Sequence, residues 1–208
     1  EEKSWKTEER LAFWINAYNA FTVKAVIDNY PIQRRGGLLA LRFPAKSIRQ
    51  IPGVWDHLAF EAAGRTVTLG DIEHKILRKE IDEPRVHFAI VCASVGCPTL
   101  RNEAYLGSQL EEQLQDNIHE FIHSGRLKLD RREQAVSLSP ILDWYKTDFA
   151  RFDDGSWKAY PRAARGGLAF LSRYLDPSVS DALKQRPHEF SWQDYDWSLN
   201  DRPFKPSP

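Results

Sequence analysis

The sequence predicts an α+β fold, a single domain with several helices around a small, mainly antiparallel sheet. Three observations predict it. Residues 7–30 and 108–123 carry apolar side chains at helical spacing. Residues 55–69 and 126–138 each hold two short strand-like runs divided by turn residues. No composition break or internal repeat divides the 208 residues, which suit one domain over 1–208, with a core over about 8–200 and an extended tail over 201–208.

Each element has its own justification. Thr7 with Glu8 and Glu9 reads as a cap and acidic first turn, Leu11, Trp14, Ile15, Tyr18, Phe21, Ala25 and Val26 form the apolar face, and Pro31 stops the helix after Tyr30. Asn16 and Asn19 interrupt that face, and buried amides need partners, so they either hold a neighbouring loop or line a site. Residues 32–54, with Gly36-Gly37, Pro44, Pro52 and Gly53, form a long connection with one short helix around Ala45–Gln50. Trp55–Phe60 and Arg65–Leu69 make a hairpin about Ala63-Gly64. Asp71–Ile81 is a helix with Ile72, Ile76 and Leu77 on one face, and Val86–Cys92 is a continuous apolar run expected as a buried strand.

Ser108–His123 is an amphipathic helix built on Leu110, Leu114, Ile118, Phe121 and Ile122. A second hairpin joins Arg126–Asp130 to Ala135–Leu138, Pro140 opens a short helix over Ile141–Phe152, and Pro161–Leu175 is a helix weakened by Gly166-Gly167. Phe190–Pro208 reads as an aromatic, then proline-rich, extended arm.

Composition excludes several function classes. Lys plus Arg equals Asp plus Glu at 29 each, so bulk charge favours neither a nucleic-acid nor an anionic-membrane partner. Arg34-Arg35 and Arg131-Arg132 are short and read as solvated loops. No apolar stretch reaches the ~18 residues of a membrane span, so the chain reads as soluble. It starts at Glu1 and lacks Met, so the reading is that an N-terminal targeting segment is missing, and compartment and oligomeric state stay open. Dinucleotide, phosphate-loop, Gly-x-Ser-x-Gly and His-Glu-x-x-His signatures are absent from the sequence, which gives no reason to expect a cofactor or metal.

The chemistry concentrates in Arg85–Thr99, which contains Cys92, Cys97 and His87. Cys97 precedes Pro98, a residue favoured at the first helical position, so Cys97 is expected as a helix N-cap whose thiol feels the positive end of the dipole. His87, ten residues earlier, is a base of matching chemistry, expected near the start of the strand. Glu73 and His74 are helix neighbours that diverge by about 100°, so only one can point into a given site. Glu73 is the candidate third member that orients the imidazolium, with His74 the reserve base. Cys92 and Cys97, five apart, lack the spacing of common zinc knuckles.

Several longer motifs carry a family resemblance. Phe13-Trp-Ile-Asn-Ala-Tyr-Asn-Ala20, Leu69-Gly-Asp-Ile-Glu-His-Lys-Ile-Leu-Arg78, Pro84-Arg-Val-His-Phe-Ala-Ile-Val-Cys92, Gly96-Cys-Pro98, Leu138-Ser-Pro-Ile-Leu-Asp-Trp-Tyr-Lys146 with Asp148-Phe149, and Tyr195-Asp-Trp-Ser-Leu-Asn200 resemble the domain of unknown function 547 over about residues 8–200. The resemblance implies a fold without a reaction. In some multidomain members the domain accompanies a glutaredoxin-like one, which suggests thiol chemistry. The family pattern contains a Glu-His pair, a strand His and a Cys-Pro, matched here by Glu73, His74, His87 and Cys97.

The function expected from these residues is cysteine-dependent acyl transfer on a peptide or small-molecule substrate, peptidase- or transglutaminase-like, with Cys97 as nucleophile and His87 as base. Histidine precedes cysteine, the reverse of papain, so a papain- or transglutaminase-like arrangement would be a permuted one. Two alternatives stand beside it: a thiol redox or glutathione-binding module using Cys92 and Cys97, and a non-enzymatic scaffold in which Asn16, Asn19, Glu73 and Arg78 are one buried polar network.

Overall fold

A computed structural model describes residues 2–130, 132–186 and 188–201. Apart from Asp201, the tail expected at 201–208 lies outside the described residues, as does Arg131 of the second hairpin turn. The fold is α+β, with seven α-helices, several 3₁₀ and π segments, one two-stranded sheet and one three-stranded sheet among the described residues. The chain divides into two compact units interleaved along the sequence. One comprises Glu1–Ile81, Ile90–Ser108 and Asp196–Pro208, the other Asp82–Ala89 and Gln109–Tyr195. No helix is long and apolar enough to cross a membrane among the described residues.

In the first unit, helix α1 spans Thr7–Asp28. Its entry is fixed by the Glu9 carboxylate, which accepts the Lys6 backbone N–H at 3.2 Å. Leu11, Trp14, Ile15, Tyr18 and Ala25 are buried, as the spacing predicts. A short helix α2 (Leu38–Leu41) and a 3₁₀ turn (Ile48–Gln50) punctuate the long connection. Strands β1 (Ala59–Ala62) and β2 (Arg65–Thr68) pair antiparallel. Ala63 and Gly64 both have positive φ, +50° and +72°, the backbone that a two-residue hairpin turn requires. The register sets Phe60 opposite Val67, the buried residues of the two strands. Phe60 stacks on Phe21 with centroids 4.3 Å apart. The segment Asp71–Ile81 packs on α1 as a π-helix, burying Ile72, Glu73, Ile76 and Leu77. A run of that length is unusual, since wide turns mostly occur singly.

In the second unit a 3₁₀ turn covers Pro84–Phe88, and helix α3 spans Leu110–Phe121, continuing as a wide turn that ends at Gly125 with φ +84°. Strands β3 (Leu127–Asp130) and β4 (Ala135–Leu138) are antiparallel. Strand β5 (Glu189–Trp192) joins β4 in parallel, with Val136 opposite Phe190, which turns part of the expected extended arm into an edge strand. Helices α4 (Ile141–Trp144), α5 (Lys146–Phe149), α6 (Arg162–Leu171) and α7 (Pro177–Gln185) complete the unit. Its core is aromatic: Phe88 lies parallel to Phe170 at 5.7 Å and edge-on to Phe121 at 4.8 Å.

Two expectations around the cysteine segment are corrected. Val86–Cys92 is not a strand. Pro84 follows a Glu83 side chain that accepts the Arg85 N–H, and this cap winds residues 84–88 into a 3₁₀ turn. Beyond it, side chains replace a strand partner: Asn117 donates to the Phe88 carbonyl at 2.8 Å in one unit, and Asn19 accepts the Val91 N–H at 2.9 Å in the other. Nor does a helix begin at Pro98, for residues 98–106 are irregular. The Tyr105 backbone is instead committed to Asn16, whose amide donates to the Tyr105 carbonyl and accepts its N–H at 2.8 and 2.9 Å. Asn16 and Asn19 thus hold loops.

Candidate functional site

Cys97 sits in a tight turn of the first unit and is buried, while Cys92 is partly exposed. Neither is in a disulfide. The turn opens at Ala93, whose φ of +56° is in the left-handed region that β-carbon-bearing residues seldom adopt. The strain is compensated by a lattice of backbone bonds. The Cys97 N–H reaches the Ser94 carbonyl at 3.1 Å, and Val95 and Gly96 donate to Ser198 and Asp196, each at 2.9 Å. Asn200 returns a bond to Ala93 at 2.9 Å. The chain therefore reverses so that the Cys92 N–H donates to Cys97 Sγ at 2.8 Å, and Cys92 Sγ lies 3.1 Å from Ser94 Oγ. The dipole of a following helix, expected to act on Cys97, is replaced by one aimed peptide N–H.

Glu73 is also in the first unit, 3% exposed on the Asp71–Ile81 helix. Its Oε2 accepts the Tyr18 hydroxyl at 3.0 Å, and that hydroxyl oxygen accepts the Trp55 indole N–H at 3.3 Å. His74 lies on the opposite side of the divergence expected for neighbouring positions, with its side chain 50% exposed. Its Nδ1 is 3.1 Å from the Arg78 guanidinium. Arginine can only donate, so this Nδ1 is an acceptor, and its 3.7 Å approach to Glu73 is not a hydrogen bond.

His87 belongs to the second unit, on the Pro84–Phe88 turn. Its side chain is fully buried, with Nε2 2.8 Å from Asp148 Oδ2. The imidazole stacks on Tyr145 at 3.8 Å and 18°, with Phe149 tilted against it at 5.7 Å. The backbone carrying it is anchored by Arg85, which bonds Glu83 at 2.8 Å and Glu111 at 2.7 Å. The Glu83 hydrogen bond, and after it the one to Glu111, raise the guanidinium pKa above its ordinary value despite burial.

Asp148 and Tyr145 are the residues that local reading did not assign to the site. A signal existed, because both lie in the motif running from Leu138 to Phe149. Among the described residues, no group of three His, Cys, Asp or Glu side chains converges in the manner of a metal site.

Comparison with known proteins agrees with the resemblance and shortens it. Residues 2–122 match the model of a family described as "Protein of unknown function, DUF547". The match includes Glu73, His74, His87, Cys92 and Cys97 and stops before the motifs at 138–149 and 195–200, so a resemblance over nearly the whole chain is too broad. No curated protein and no solved structure matches the chain.

Proposed function

Because the chain belongs to the DUF547 family, a membership that assigns no reaction, we propose from its own residues that it is a cysteine-dependent acyl-transfer enzyme. The observation that carries this reading is the peptide N–H of Cys92 directed at Cys97 Sγ. A donor aimed at sulfur stabilises negative charge there, the charge a nucleophilic thiol carries.

His87 is assigned the base. Its Nε2, facing the Asp148 carboxylate, is the nitrogen that bears the proton, which makes Nδ1 the basic one. Asp148 then fills the orienting role that the sequence offered to Glu73, and Glu73 with Tyr18 supports a helix within the nucleophile's own unit. In the reaction, imidazole takes the thiol proton and sulfur attacks a carbonyl carbon. The tetrahedral intermediate collapses to a thioester as the leaving group receives that proton, and water or an amine then cleaves the thioester. The substrate is a peptide or small molecule bearing an amide or ester.

The thiol redox alternative rests on the same turn, since it brings the Cys92 backbone to Cys97 Sγ and no disulfide joins the two residues. One experiment separates the readings. The alkylation rate of Cys97 by a small iodoacetamide is measured against pH in Cys92→Ser, alone and combined with His87→Ala or Asp148→Asn. Acyl transfer predicts a reactive form well below the ordinary thiol range near ~8.5, displaced upward by either second change. An ordinary profile indifferent to His87 would sink the nucleophile–base pairing. Rapid, reversible Cys92–Cys97 disulfide formation in the unmodified chain would favour the redox reading.

A further inference from the structure

Between Asp28 and Asp56 the sequence holds five basic residues, Arg34, Arg35, Arg42, Lys46 and Arg49, and no acidic one, in a chain whose charges cancel overall. Three of these, Arg35, Arg42 and Arg49, line one cavity of about 540 Å³ in the first unit. Phe43, Trp55 and a single carboxylate, Asp56, line it with them. The volume is that of a small-molecule site. Among the described residues no carboxylate forms an ion pair with any of the three arginines. Like charges gathered in one concavity repel, and an anion relieves that repulsion.

The geometry of Arg49 favours a particular kind of anion. Its guanidinium carbon lies 4.2 Å from the Trp197 ring centroid, 4.7 Å from Trp55 and 5.2 Å from Phe43. Three aromatic rings surround the guanidinium carbon and hold its charge in place, and a planar, forked guanidinium is the group suited to grip a phosphoryl group. The rim is held in place by Gln50, 4% exposed. Its Oε1 accepts the Arg35 backbone N–H at 3.2 Å, and its Nε2 donates to the carbonyls of Ala40 and Pro44 at 2.9 and 3.2 Å. One buried amide therefore ties down both ends of the loop that carries Arg35, Arg42 and Phe43, and a site organised before binding loses less entropy when it binds.

We propose that this cavity binds a phosphorylated small molecule with a planar ring, a nucleotide by class. The arginines take the phosphoryl group, Phe43 and Trp55 offer their rings to the planar part, and Asp56 accepts hydroxyls. A local concavity on a chain of zero net charge suits such a molecule better than a polyanionic strand or a bilayer, which call for an extended basic surface.

The test is calorimetric titration of the full chain with AMP, with adenosine and inorganic phosphate as its two halves and vesicles of an anionic phospholipid as a separate arm. Saturable AMP binding is expected, with adenosine much weaker. Arg42→Ala and Arg35→Ala, both at exposed positions, should each weaken AMP by about tenfold, while Lys46→Ala outside the lining should not. Arg49→Lys keeps the charge and loses the fork, and should weaken AMP while leaving the melting temperature of the free chain close to wild type. Absence of AMP binding, binding indifferent to both alanine variants, equal affinity for adenosine, or binding to vesicles alone would each overturn the proposal.

Discussion

His87 and Asp148 form a desolvated pair, with Nε2 and Oδ2 2.8 Å apart, the histidine side chain fully covered and the carboxylate 17% exposed. Removing the acceptor leaves a buried ring N–H to be accommodated. Asp148→Ala should destabilise the fold by about 1–3 kcal/mol, and Asp148→Asn, which keeps an oxygen in place, by less. Urea denaturation with an unchanged m-value checks this. Wild-type stability in both variants would show that the bond contributes nothing.

Tyr18 serves two partners through one oxygen, donating to Glu73 and accepting from Trp55. Tyr18→Phe keeps the ring and removes the hydroxyl, so the buried carboxylate loses a donor. The expected loss is about 1–3 kcal/mol, read as a shift in denaturation midpoint. A double-mutant cycle with Glu73→Gln should show coupling between the two positions, and strict additivity would refute the contact.

Asp71 contributes a pH dependence of known sign. The side-chain hydrogen bond from Lys75, then the Thr68 backbone N–H, lower its pKa from the ordinary 3.8 to about 2. The unfolded chain therefore binds this proton more readily than the folded one. The stabilisation is present above about pH 4 and is lost as pH falls toward about 2. In Asp71→Asn, acid titration of stability should lose part of its slope in that window. An unchanged slope would mean that the carboxylate is not held by these partners in solution.

Gly166 permits a backbone crossing. A β-carbon there would stand 2.4 Å from the Phe149 carbonyl oxygen and 2.7 Å from its carbon, neither of which can rotate away. Gly166→Ala should therefore cost 3 kcal/mol or more, beyond the ~1–3 of ordinary overpacking, despite alanine's better helix propensity. Thermal unfolding is the measurement, and a wild-type melting temperature would contradict the close approach of α6 to α5.

Much of the fold was readable from local pattern. Both hairpins and the long helices have strong periodicity, and Ala63-Gly64 and Pro31 punctuate them where the backbone turns. The misreadings cluster where side chains replace backbone ladders. Phe88-Ala-Ile-Val91 has the composition of a buried strand, yet Asn117 and Asn19 supply its hydrogen bonds from positions 29 and 72 residues away in sequence. The pairing of β5 with β4 is hidden for a different reason, because parallel neighbours carry no short-loop signal. At the candidate site, residue types were legible and partners were not. Cys97, His87 and Glu73 stand out by chemistry, whereas the Asp148 contact of His87 spans 61 positions.

The bonds that Val95 and Gly96 make to Ser198 and Asp196, with the return bond from Asn200 to Ala93, bear on the order of biosynthesis. A nascent chain emerges from its N-terminus, so the cysteine turn waits for residues made about a hundred positions later. All the segments of the second unit have left the ribosome before the first unit can close. An expression fragment trimmed to the matched stretch at 2–122 would leave the peptide groups around Cys97 without these acceptors and donors. Until residues 196–200 have been made, the turn around Cys97 lacks these bonds, and its geometry is set by segments far apart in the order of synthesis.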